Sequence, residues 1–226
     1  MVKPLGEKTK EYYAARGARA YYEALGYQWD DLPGTREEVL AVQQTVYGGT
    51  GTRVVLGEQA SEQLVKQLSA SGELAQQRVV HFACHGLFDA DYPAFSAVVL
   101  SEVSGALKGS SEEDGYLTVE EVALLRLKAD LVELSACETG LGKVVQGDGV
   151  IGLTRAFLVA GANGVGATLW VVDDLATKAF MVRVYGLVEK ERIGYAEAMA
   201  KVKREFIKSK DYSDPYYWSP FVLYGK

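Results

Sequence analysis

The chain has 226 residues, 48% of them hydrophobic and 24% charged, an average composition for a globular domain that excludes disorder and collagen-like repeats and predicts a single core. Thirty acidic residues against 24 basic ones leave a formal charge of -6, which excludes the basic footprint that nucleic acid or an anionic membrane surface would require. Two cysteines, Cys84 and Cys137, are too few for a disulfide framework; no secretory leader pattern opens the sequence and no run of about 18 apolar residues occurs, so a reducing cytoplasm without a membrane span is the expected setting.

Residues 1–32 carry the tyrosine pairs Tyr12-Tyr13 and Tyr21-Tyr22 and predict a helical extension weakened at Gly17, set apart from a domain over 33–226. Leu32-Pro33-Gly34 breaks the chain, and Thr35 with Glu38 three residues on predicts a capping box opening a helix to about Val46. A short strand is expected at Thr52 to Leu56, then a helix from about Ser61 with Leu64, Val65 and Leu68 on one face. Val79 to Cys84 is nearly all apolar, as in a parallel strand covered on both faces. Ala97 to Leu100 predicts a further strand and 101–115 a polar, mobile loop. Thr118 with Glu121 caps a helix to about Leu127 that feeds a strand from Asp130 to Ala136.

A glycine-studded loop over 138–149 precedes a helix at Val150 to Ala160, a strand at Val165 to Val171, helices at about Leu175 to Glu189 and Tyr195 to Lys208, and an edge strand at Phe221 to Tyr224. The alternation predicts a three-layer α/β sandwich with a mainly parallel sheet.

Chemistry in such sheets gathers at the carboxyl ends of the strands. His85 and Cys137 occupy two such ends, each leading into a glycine-containing turn, as His85-Gly86 and Cys137-Glu138-Thr139-Gly140. A thiolate and an imidazole so placed can act as a nucleophilic dyad, with the backbone amides of Gly86 and Cys137 available to an oxyanion. Fifty-two residues separate the two, close to the interval of about 50 between histidine and cysteine in caspases.

Several motifs together resemble the CHAT domain, a caspase-like peptidase family often found beside tetratricopeptide repeats in bacteria. They are His81-Phe82-Ala83-Cys84-His85-Gly86, Leu134-Ser135-Ala136-Cys137-Glu138-Thr139-Gly140, Leu32-Pro33-Gly34-Thr35 with Glu38, Gly147-Asp148-Gly149 leading to Arg155-Ala156-Phe157, Leu169-Trp170-Val171-Val172-Asp173-Asp174, and Tyr217-Trp218 to Pro220-Phe221. The resemblance covers about residues 32–226. It implies a caspase-like fold and a cysteine endopeptidase with His85 as catalytic histidine and Cys137 as nucleophile, acting on protein substrates without metal or organic cofactor. A partner bearing tetratricopeptide repeats would activate it by reordering 101–115 and 138–149.

The sequence departs from the family pattern at Cys84, where threonine is usual, at Glu133, where an apolar residue is usual, and ahead of the Leu-Pro motif, where residues 1–32 replace a customary strand. Parallel neighbours in register would bring His81 opposite Glu133, two pleats below the dyad, as a buried pair.

Competing readings rest on single features. Gly147-Asp148-Gly149-Val150-Ile151-Gly152 matches a dinucleotide fingerprint, but its first glycine comes ten residues after the strand end at Cys137 rather than directly after it. Gly142-Lys143-Val144 lacks the P-loop hydroxyl. A zinc site of His81, Cys84, His85 and Cys137 fails because strand alternation turns Cys84 away from the histidines. Asp173 and Asp174 are either helix caps or the rim of a specificity pocket, and Asp148 is either a turn residue or part of that rim. The rival in another class is a non-catalytic caspase-like scaffold that docks partners.

Overall fold

The computed structural model describes residues 11–13, 15–48, 50–89, 92–101, 113–135, 148–170 and 172–225. Among them the strands are β1 (Val79–Phe82), β2 (Gly86–Leu87), β3 (Ala97–Val99), β4 (Tyr116–Thr118), β5 (Leu131–Leu134), β6 (Gly164–Thr168) and β7 (Phe221–Gly225). The helices are α1 (Ala18–Ala24), α2 (Pro33–Tyr47), α3 (Glu62–Ser71), α4 (Val119–Leu124), α5 (Asp148–Ala160), α6 (Asp174–Glu191), α7 (Tyr195–Lys208) and α8 (Pro215–Trp218).

The main sheet has the order β1-β5-β6-β7, parallel across its first three strands and antiparallel at β7. Both faces are covered, so alternate side chains of one strand enter different cores. In β5, Leu131 joins the cluster built on Phe180, Val184 and Phe221 under α6 and α7, whereas Val132 and Leu134 join the cluster of Phe82, Leu153 and Phe157 under α4 and α5. This is the expected three-layer sandwich, and its apolar strands bury on both sides because each residue of β5 has its own cover.

A second, antiparallel sheet of order β2-β3-β4 was not legible as such in the sequence. Its outer face carries α1: Tyr21 and Tyr22 are buried against Leu87, Ala97, Val99 and Tyr116, and Tyr22 stacks on Tyr116 at 5.5 Å. The Tyr21-Tyr22 pair therefore belongs to the core of this sheet, whereas Tyr12 is exposed. Gly17, at φ 101, breaks the helix as expected.

Three local expectations need correction. The helix expected after Thr35 begins two residues earlier, with Pro33 in its first turn, no side-chain cap at Leu32, and Thr35 Oγ1 donating to Leu32 O at 2.7 Å. Glu38 does not close a capping box there, because its carboxylate is drawn into the core. Residues 52–56 form no strand: Leu56 is extended, but no sheet partner borders it among the described residues. β4 follows directly on the loop expected over 101–115, where the sequence predicts no strand, because Tyr116 and Leu117 pair with β3 and are buried. Elsewhere the capping box of Thr118 and Glu121 forms as predicted, and α3 starts where expected, with Ser61 as its N-cap. The expected loops fall outside the described residues over 102–112 and 138–147. Among the described residues no helix is long and apolar enough to cross a membrane.

Candidate active site

β1 and β5 are parallel neighbours in register, Val79 opposite Leu131 through Phe82 opposite Leu134, and Ser135 N–H extends the ladder to Phe82 O at 2.9 Å. His85 lies three residues beyond Phe82, and Cys137 follows Leu134 by the same three positions in the sequence. Cys137 itself lies outside the described residues.

The His85 ring is held by the segment ahead of α2. Its Nε2 is 2.8 Å from the carbonyl oxygen of Asp30, and the Trp29 ring packs 5.0 Å away. Trp29 is itself pinned by its Nε1–H donating to the Tyr116 hydroxyl at 2.9 Å. A carbonyl oxygen only accepts, so Nε2 carries the proton in this contact. In the neutral ring Nδ1 is then the basic nitrogen. Gly86, next in the chain, opens β2 opposite Val98 and is buried. Cys84 packs against the larger hydrophobic cluster.

Below this strand end lies a cluster of buried polar groups. His81 is directly opposite Glu133, the register expected of them. The hydrogen bonds of His81 go elsewhere than to Glu133. His81 Nδ1 hydrogen-bonds the Tyr185 hydroxyl of α6 at 2.8 Å, and Nε2 lies 3.1 Å from Glu38 Oε1 on α2. Glu38 Oε1 also accepts from Ser135 Oγ. Glu133 is fully buried, and neither of its carboxylate oxygens has a hydrogen-bond partner among the described residues. It sits over Gly166, where an added Cβ would stand 1.8 Å from Oε2, so only glycine at that position of β6 leaves it room.

Burial pushes the Glu133 carboxyl up to about 8, with the Glu38 charge adding to this and His81 opposing it. Burial works against the His81 imidazolium, but Glu38, and to a lesser degree Glu133, more than offset it and hold His81 above its usual value. Both shifts favour protonation, of the His81 ring that faces Glu38 and of the buried Glu133 carboxyl beside it.

The acids singled out near the carboxyl ends separate by role. Asp173 is the N-cap of α6, its Oδ1 accepting from the amides of Leu175 at 3.0 Å and Ala176 at 3.1 Å. Asp174 abuts the first turn of α2: a Cβ on Gly34 would stand 1.9 Å from its Oδ2. Burial raises the Asp174 carboxyl, as do the neighbouring charges of Asp173, Glu38 and Glu37. Asp148 is the first residue of α5.

The residues that sequence reasoning missed are Asp30 and Trp29, because a contact made by a backbone carbonyl leaves no side-chain signature. Glu38 was found but for a different role. The Tyr185 hydroxyl that holds His81 Nδ1 comes from a helix 104 residues further along the chain.

The family model of the CHAT domain matches residues 15–226. Tetratricopeptide repeat protein 28 of Mus musculus is 30% identical over 233 residues, covering 87% of this chain and 9% of that protein. Tetratricopeptide repeat protein 28 of Homo sapiens is 31% identical over 233 residues, covering 87% of this chain and 8% of that protein. The chain thus spans about a tenth of the length of the curated relatives it matches.

Proposed function

The chain belongs to the CHAT domain family, of caspase-like α/β fold, and from that premise we propose that it is a cysteine-type endopeptidase with His85 and Cys137 as its dyad. The observation that carries the reading is the shared three-residue offset of the two positions beyond the paired ends Phe82 and Leu134, with the Asp30 carbonyl selecting Nδ1 of His85 as the base.

In this mechanism His85 Nδ1 takes the Cys137 thiol proton and Sγ attacks the carbonyl carbon of the scissile peptide bond. The backbone amides of Gly86 and Cys137 hold the resulting oxyanion. Collapse breaks the C–N bond, the leaving amine takes the proton back from His85, and an acyl-thioester remains. Water, deprotonated by the same imidazole, then hydrolyses the thioester to a carboxylate and restores the thiol. No step calls on a metal or an organic cofactor. On the family resemblance alone Asp148 is taken to the pocket rim, while Asp173 caps α6 and Asp174 abuts the first turn of α2. The natural substrate is a protein, and an activating partner carrying tetratricopeptide repeats fits the names of the relatives.

The second reading, a non-catalytic caspase-like scaffold, draws on those same names, which speak of repeats and of no enzyme. Alkylation of Cys137 as a function of pH, followed by mass spectrometry in the wild type and in His85→Ala, separates the two. A peptidase shows selective reaction at Cys137 near neutral pH that His85→Ala abolishes. A Cys137 no more reactive than Cys84 supports the scaffold.

A further inference from the structure

One short stretch of chain reaches the ends of both strands that carry the candidate dyad. The carbonyl oxygen of Asp30 accepts from His85 Nε2–H at 2.8 Å, and eight residues later the Glu38 carboxylate accepts from the Ser135 hydroxyl beyond β5. Ser135 stands two positions before Cys137 in the sequence. It is held twice, its N–H donating to Phe82 O of β1 at 2.9 Å and its Oγ donating to Glu38 Oε1. The first bond sets the height of β5 against β1. The second ties that strand end to the segment that orients the histidine.

The stretch between the two contacts is stiff for reasons visible in its sequence. Pro33 locks φ in the first turn of α2, and the amide and the hydroxyl of Thr35 both donate to Leu32 O, at 3.1 and 2.7 Å. The N-terminal half of α6 packs on it, with Asp174 against Gly34 and Lys178 Nζ paired with Glu37 at 3.1 Å.

Burial of Glu38 and Ser135 is not what stability alone selects. A buried carboxylate is destabilising unless it is paired, and apolar packing commonly serves as well or better. The groups that face Glu38 are His81 from β1 at 3.1 Å, Ser135 and Glu133 from β5, and Asp174 from α6, whose carboxyl is raised in part by the Glu38 charge. His81 offsets that charge. The Ser135 hydroxyl adds no counter-charge, and what a directional bond at a strand end supplies is position.

We propose that Glu38 is a positioning residue for the peptidase reaction, acting through the Ser135 hydroxyl to hold the end of β5, and with it Cys137, in register with the histidine that Asp30 orients. The proposal rests on the peptidase reading above and adds to it the element that brings the two halves of the dyad together. The stretch from Asp30 to Glu38 is then a single clamp on both strand ends. Glu38 acts on the thiol only through its placement, and His81 serves the clamp by neutralising the Glu38 charge.

The test is the pH midpoint of Cys137 alkylation in the full chain, read by mass spectrometry with Cys84 as internal reference and with a thermal melt of every variant. Ser135→Ala removes the hydroxyl and no charge. Its midpoint is expected to rise by about one pH unit or more, toward the ~8.5 of a thiol without an activating imidazole, in a protein that melts within a few degrees of the wild type. Ser135→Thr, which restores a hydroxyl, is expected to bring the midpoint back. Glu38→Gln keeps an oxygen for that hydroxyl and is expected to shift the midpoint less than Ser135→Ala does. A wild-type midpoint in Ser135→Ala overturns the proposal, and so does a midpoint still raised in Ser135→Thr, which marks a packing effect. A larger shift in Glu38→Gln than in Ser135→Ala assigns the effect to the carboxylate charge and also overturns it. If His85→Ala raises the midpoint and Ser135→Ala does not, the positioning role alone fails. If His85→Ala leaves the midpoint in place, the peptidase reading fails and the proposal falls with it.

Discussion

Replacing Glu133 by glutamine tests the electrostatic account of the buried cluster. The folded carboxyl is raised from 4.5 to about 8, so the fold favours its protonated form. Its contribution is fully present below about pH 4.5, where both states are protonated, and is lost as pH rises toward 8. Each pH unit in that window is worth about 1.4 kcal/mol, or roughly 5 kcal/mol in all, a large share of the ~5–15 kcal/mol that holds a domain together. Glu133 is fully buried, so solvent screening gives little relief. Glutamine keeps the shape over Gly166 and cannot ionise. The stability difference between Glu133→Gln and wild type, from urea unfolding at pH 5, 6, 7 and 8, is expected to grow steadily in favour of the variant, reaching several kcal/mol at pH 8. A difference that stays constant with pH refutes the argument, because a penalty of packing or of an unpaired amide does not titrate.

Gly166→Ala is expected to cost about 1–3 kcal/mol by overpacking Glu133, and Glu133→Ala to restore most of it; additive losses in thermal melts would place the clash elsewhere. His81→Ala leaves Glu38 buried beside Ser135 without its imidazole partner and is expected to cost about 3–5 kcal/mol, while Cys137 alkylation in the folded protein changes little. An equal loss of reactivity at unchanged stability would move His81 into the catalytic group. Trp29→Ala removes the ring against His85 and is expected to slow Cys137 alkylation about tenfold through loss of orientation, with Trp29→Phe retaining most of the rate. An unchanged rate in Trp29→Ala would separate this segment from the site.

Periodicity and spacing carried the central layer. The nearly continuous apolar runs of β1 and β5, broken by His81 and Glu133, mark strands with cover on both faces, and the alternation of strands with capped helices makes those strands parallel. From that follow the neighbourhood of His81 and Glu133, and the equal offsets of His85 and Cys137 beyond the ends of their strands. These are local or register properties, encoded within a few residues of each side chain.

Tertiary structure alone decided the rest, because it rests on contacts between distant segments or on backbone atoms that every residue type shares. Glu38 has the spacing of a helix cap, yet enters the core because His81 and Ser135 wait there for an acceptor. Tyr21 and Tyr22 read as an undefined extension until the face of β3 and β4 receives them. Residues 52–56 have the composition of a strand and are not one, since a strand exists only through its neighbour's hydrogen bonds and no described neighbour supplies them. The orientation of His85 likewise comes from the Asp30 carbonyl, a group present at every position of the chain and brought to this one by the fold.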